Sequence, residues 1–232
     1  MRTQLLLLMV LMGAASVSAA PTSDQVKRMN DSARVLRELR ASPDSGIPAN
    51  LWDRARCVAV LPGVKKAAIV FGGEFGKGVV SCREGGSWST PAFLTLEKGS
   101  WGAQLGAEST DVVLLVMNEQ GMNRLLQDKV TLGADASITA GPVGRSGTAA
   151  TDAQLTTEML SYSRSHGLFA GIDLSGGVLR PDDHADAAFY GRTLSARQIL
   201  GDHSHLTTPD AARTFIASLR ANVQYGTQRH GA

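Results

Sequence analysis

Between Cys57 and Ala140 glycines interrupt the chain repeatedly, and the stretches between them are rich in Val, Leu, Ala and Phe. Apolar runs this short, bounded by Gly and Pro, read as β-strands rather than helices. The spacing predicts strands over Cys57–Leu61, Ala67–Phe71 and Lys77–Cys82, with Gly72-Gly73-Glu74-Phe75-Gly76 as the turn before the third. Further strands are predicted over Trp88–Leu96, where Pro91 suits an edge or bulge, and over Trp101–Ala107. Asp111–Met117 contains six consecutive apolar residues and reads as a strand buried on both faces. Asn118 can cap a short helix behind it. Lys129–Ala140 alternates cleanly, with Val130, Leu132, Ala134, Ala136, Ile138 and Ala140 on one face. It is predicted as a single central strand with those residues inward. Two more strands follow, over Glu158–Arg164 and Leu168–Leu179.

Helical periodicity flanks this region. Ser23–Arg40 repeats apolar residues at Val26, Met29, Ala33 and Leu36, with Asp24 at its positive end. Ile47–Ala55 reads as a short second helix starting near Pro48. Ser195–Leu200 is a small helix, and the last one is opened by Thr208 and Pro209, with Ala212, Phe215, Ile216 and Leu219 as its buried stripe. The expected fold class is α+β: a Gly-rich, mainly antiparallel sheet or barrel-like core, with helices at the N- and C-terminal ends. No repeat or long linker divides the chain, so residues 20–232 are expected to form one domain.

Residues 1–19 carry Arg2, then an unbroken apolar run from Leu5 to Met12, then small residues ending Val17-Ser18-Ala19. That order is the order of a secretory signal peptide, and the run falls short of the roughly 20 residues that span a bilayer. The expected location is therefore periplasmic or secreted. In an oxidising compartment the two cysteines, Cys57 and Cys82, are expected to be bridged, the alternative being two small buried thiols.

Charge and motifs exclude several functions. With 23 Lys+Arg against 21 Asp+Glu, the chain lacks the basic excess of a nucleic-acid binder. The segment Gly72–Gly78 fails as a phosphate loop, because Phe71 and Gly78 stand where a Walker sequence needs Gly and Ser or Thr. It also fails as a dinucleotide fingerprint, with Ser81 at the third glycine position. No Gly-x-Ser-x-Gly elbow or His-Glu-x-x-His helix is present. Asp182-Asp183-His184 with Asp186, and His203 with His205, are accounted for by turn chemistry and solvated loops rather than a metal. No enzymatic activity, metal or cofactor is expected.

Basic residues remain as candidates. Lys65 and Lys66 follow Leu61-Pro62-Gly63, and as neighbours in a strand they would face opposite ways, so both are expected in a turn. Lys77, Arg145 and Arg164 lie in or near other predicted turns. The first helix adds Lys27, Arg28, Arg34 and Arg37. Together these residues could attract anionic headgroups by charge, with the helix supplying an apolar face. Exposed Lys and Arg and an amphipathic helix packed on its own core explain the same pattern without a ligand.

A series of motifs then occurs in order: Pro62-Gly63-Val64-Lys65-Lys66-Ala67, Gly76-Lys77-Gly78-Val79-Val80, Trp88-Ser89-Thr90-Pro91-Ala92-Phe93 and Gly102-Ala103-Gln104-Leu105-Gly106-Ala107-Glu108. Leu132-Gly133-Ala134-Asp135-Ala136-Ser137, Ala140-Gly141-Pro142-Val143-Gly144-Arg145, Tyr162–Gly171 and Tyr190-Gly191 continue it. Across residues of about 50–201 the chain resembles the SYLF domain family, with His166 where that family usually has lysine. The resemblance implies a lipid-binding module. Eukaryotic members bind phosphoinositides and some bind actin. With the export signal, it implies a bacterial exported member contacting anionic phospholipid headgroups at an envelope membrane surface. The alternative is a non-enzymatic envelope structural or protein-interaction component.

Overall fold

The computed structural model describes residues 22–41, 46–68, 71–84, 86–101, 106–143, 156–165, 168–201 and 206–230. Helix α1 (Ser23–Ala41) and the short α2 (Ala49–Arg54) precede a long hairpin of β1 (Cys57–Ala68) and β2 (Phe71–Glu84). Then come β3 (Ser87–Trp88), β4 (Ala92–Trp101), β5 (Gly106–Val116) and α3 (Glu119–Leu125), whose first turn is capped by the Asn118 side chain. The chain continues through β6 (Val130–Thr131), β7 (Ile138–Ala140), β8 (Met159–Ser165), β9 (Leu168–Gly171) and β10 (Val178–Pro181). Helices α4 (Asp183–Tyr190), α5 (Ala196–Gly201) and α6 (Asp210–His230) close it.

The sheet order is β6-β10-β4-β2-β1-β5-β8-β7, with β3 on β2 and β9 on β8. Every pairing of named strands is antiparallel except β7 with β8. The two margins, β6 and β7, are joined by residues 132–137 alone. That link reaches roughly 25 Å at full extension, whereas eight flat strands would separate the margins by roughly 34 Å. The sheet therefore curls into a half-barrel. This is the α+β, mainly antiparallel, Gly-rich core with terminal helices expected from the sequence.

Both faces of the sheet carry a buried apolar layer. Val58, Val60, Val79, Phe93, Val113 and Leu115 pack on one face beneath α1, α2, α4 and α6. Ala59, Leu61, Val80, Leu94, Leu114 and Leu179 pack on the other with α3 and α5. This is why Val112–Val116 is apolar without alternation.

Three sequence expectations are corrected. Gly72–Gly76 is not a turn but part of β2, where Gly76 serves close packing. Between Val60 and Lys65 the β1 register shifts in a bulge around Pro62 and Gly63, the latter at φ +60. A methyl on Gly76 would lie 2.6 Å from Val64 Cγ2. Lys129–Ala140 is not a central strand but two short marginal ones. The chain turns between them, where Gly133 has φ +84 and the Asp135 carboxylate accepts the Thr131 N–H at 2.7 Å. Ala134 is consequently exposed, and Ile138 is only half-buried. Leu168–Leu179 likewise breaks into β9 and β10 around Gly176, at φ +80. The predicted turn at Arg145 and most of Trp101–Ala107 fall on or beside residues 102–105 and 144–155, outside those described.

Cys57 and Cys82 face each other directly across β1 and β2, are fully buried, and are joined as a disulfide. The bridge closes a loop of sequence separation 25. Removing it by Cys57→Ser/Cys82→Ser is expected to lower unfolding free energy by about 3 kcal/mol through a freer unfolded chain. Thiol titration of unreduced, denatured protein checks the bond; two reactive thiols per chain would contradict it.

Candidate functional site

Helix α1 crosses the first face of the sheet, with Arg28 above Phe93 of β4, Ser32 bonded to Val60 of β1, and Arg34 and Glu38 at Asp111 of β5 and Arg164 of β8. The same face also carries a row of exposed residues. The exposed row includes Gly73, Phe75 and Lys77 on β2, Lys65 on β1, Ser109 on β5, and Glu97 and Gly99 on β4. Where helix and open sheet meet is a groove of about 310 Å³, lined by Asp24, Lys27, Arg28 and Asp31 of α1, Pro62, Gly63 and Lys65 of the bulge, and Phe75, Gly76 and Lys77 of β2. Phe75 is 45% exposed, one of two large apolar side chains so placed among the described residues.

The bulge that forms one wall is tied down by charge. The Asp111 carboxylate accepts the Gly63 N–H at 2.9 Å and lies 3.4 Å from Arg164 and 3.8 Å from Arg34. Glu38 joins both arginines, at 2.9 Å from Arg34 and in a close pair with Arg164. The four residues link α1, β5 and β8. Arg28 is mostly buried, bonds Asp182 at 2.8 Å and stacks 5.1 Å above the Phe93 ring. The Arg28–Asp182 and Arg164–Asp111 pairs are low in exposure, so water screens them little, whereas Arg34 and Glu38 are partly open to solvent.

The structure therefore divides the basic residues picked from sequence. Lys27, Lys65 and Lys77 open into the groove, and Arg28 lines it while bound to Asp182. Arg34 and Arg164 are tied by Glu38 and Asp111, and Arg37 is exposed on α1. Lys66 is separated from Lys65, because the two lie in strand β1 rather than a turn. Lys65 pairs with Phe75 on one face and Lys66 with Glu74 on the other, where its Nζ is 3.6 Å from the carboxylate. There Lys66, Glu74, Lys98, Glu108 and Asp173 border a second cleft of about 270 Å³ with both signs of charge. Arg145 lies outside the described residues. Sequence reasoning missed Phe75, Asp24 and Asp31 as groove residues and Asp111 and Glu38 as ties. A phenylalanine inside a glycine run was the available signal for Phe75.

Among the described residues no group of three His, Cys, Asp or Glu side chains is placed to hold a metal ion. No helix among them is long and apolar enough to cross a membrane.

A family model described as "Las17-binding protein actin regulator", Ysc84, matches residues 97–222. The chain is 31% identical over 191 residues to Protein YSC84 of Saccharomyces cerevisiae, covering 81% of this chain and 40% of that protein. It is 33% identical over 161 residues to LAS seventeen-binding protein 3 of the same yeast, covering 68% and 35%. It is 30% identical over 195 residues to SH3 domain-containing YSC84-like protein 1 of Bos taurus, covering 81% and 56%. The chain thus spans about a third to a half of the length of these relatives.

These relatives are yeast and vertebrate proteins named for Las17 binding and SH3 domains. The expectation of a bacterial, periplasmic or secreted member acting on envelope phospholipid is corrected by them, and the protein-interaction alternative fits them better. The signal-peptide reading falls on residues 1–19, outside those described. The matched descriptions speak of binding and regulation.

Proposed function

We propose, on the premise that the chain belongs to the Ysc84 family, that residues 20–232 act as one protein-interaction module of the actin-regulatory type. The groove between α1 and the β1–β2 hairpin is its contact surface. The observation that carries this reading is the gathering of Lys27, Lys65 and Lys77 from three elements around the half-exposed Phe75. An apolar anchor inside a polar rim is the arrangement that protein interfaces use. Asp24 and Asp31 on the helix wall offset part of the positive charge, which disfavours a purely electrostatic membrane site.

The test is co-sedimentation with filamentous actin and capture of yeast Las17, by wild type and by Lys27→Glu/Lys65→Glu/Lys77→Glu. Wild type is expected to bind at least one of the two, and the triple variant to bind it at least about tenfold more weakly. Binding to neither would overturn the interaction reading. Equal binding by the variant would move the contact surface elsewhere.

A further inference from the structure

We infer that the groove recognises an extended acidic segment of its partner, carrying an apolar residue between two carboxylates; this rests on the interaction reading above. The first reason is where unpaired positive charge remains. Arg28 is satisfied by Asp182, Arg34 and Arg164 by Glu38 and Asp111, and Lys66 faces Glu74. Lys65 and Lys77 have no ion-pair partner among the described residues, and Lys27 has only Asp31, one turn along its own helix.

The second reason is spacing. Lys65 stands directly across the hairpin from Phe75, and Lys77 follows Phe75 by two residues on the same face. Cross-strand neighbours are about 5 Å apart and alternate residues of one strand about 7 Å apart. Lys65 lies across the hairpin from the ring and Lys77 along β2 from it, so the two lysines stand on adjacent sides of Phe75. Their long flexible stems can reach carboxylates on either side of an apolar residue seated on the ring. The exposed Gly73 and Gly99 leave that end of the floor without side chains, so a strand-like segment can approach over them, while Glu97 stands exposed across from Phe75 on β4. A volume of about 310 Å³ admits a few side chains and not a folded domain.

The experiment uses a fluorescein-labelled peptide of repeated Glu-Ser-Leu-Ser-Glu units and its Gln-for-Glu counterpart, followed by anisotropy at low and high salt. Wild type is expected to bind the acidic peptide and not the neutral one. Lys65→Glu/Lys77→Glu should weaken binding at least about tenfold, and the gentler Lys65→Gln/Lys77→Gln less. Lys66→Gln, on the opposite face, should bind as wild type does. Added salt should weaken the complex, since exposed charges are screened beyond about 8 Å at physiological ionic strength. Thermal melts of each variant confirm that it is folded. Failure of wild type to bind the acidic peptide overturns the inference, as does equal binding by the double variants. So does capture of phosphatidylglycerol vesicles, lost in the double variants, by a protein that ignores the peptide. If actin or Las17 binding still depends on the groove lysines while the peptide does not bind, the acidic-segment inference alone falls.

Discussion

Gly78→Ala is expected to cost at least about 3 kcal/mol of stability, a large share of the about 5–15 kcal/mol that holds a typical domain together. A methyl group at Gly78 would sit 2.2 Å from the Val60 carbonyl oxygen and 2.8 Å from Leu61 Cα. Both are backbone atoms of a buried strand, so neither can swing aside as the end of a long side chain would. The cause lies beside the β1 bulge, where Val60 and Leu61 come onto the hairpin partner at a position that has no side chain. Gly99→Ala supplies the comparison. A methyl there meets nothing within 4 Å, so that variant is expected to be neutral or slightly more stable. Urea unfolding of the two variants decides it, and equal midpoints for Gly78→Ala and wild type would sink the packing argument. The groove should respond as well, because the same bulge carries Gly63 and Lys65 into it.

The glycines also mark where the sequence could be read and where it could not. Helical periodicity located α1 and α6 because their buried faces depend on local spacing alone. The five apolar residues of Val112–Val116 announced a strand buried on both faces for the same reason. Glycine has two meanings that one sequence does not separate: a turn that needs φ above zero, or a strand that needs room. Gly63 and Gly133 are of the first kind, whereas Gly76 and Gly78 are of the second. The alternation of residues 129–140 misled in a related way. Its inward positions are divided between two sheet margins brought close by curling, and curling is a property of the whole sheet. For the candidate site, residue type pointed to Lys27, Lys65 and Lys77, but nothing local distinguished them from Arg34 and Arg164. That distinction depends on ion pairs such as Arg164 with Glu38, 126 residues apart.

Asp186→Asn is expected to stabilise the protein near pH 8 and to change little near pH 4. Asp186 is fully buried in the first turn of α4, and its Oδ1 accepts the Phe93 N–H at 2.9 Å, fixing the helix to β4. Its Oδ2 has no hydrogen-bond partner among the described residues. Burial raises the carboxyl from the ordinary 3.8 to about 8; the Phe93 N–H and Arg28 oppose the rise, while Asp182 and Asp183 add to it. Between those two values the folded chain keeps a proton that the unfolded chain has released. Stability from this group is therefore complete below about pH 4 and falls as pH rises, by up to about 1.4 kcal/mol per pH unit, until the folded carboxyl also ionises. Asparagine preserves the acceptor for Phe93 and has nothing to ionise, so the variant should be at least about 2 kcal/mol more stable than wild type at pH 8. Chemical unfolding of both proteins across pH 4 to 8 makes the comparison. The two stability curves should diverge steadily with pH. Parallel curves would mean that Asp186 is already ionised in the fold, held by Arg28 more strongly than burial opposes it.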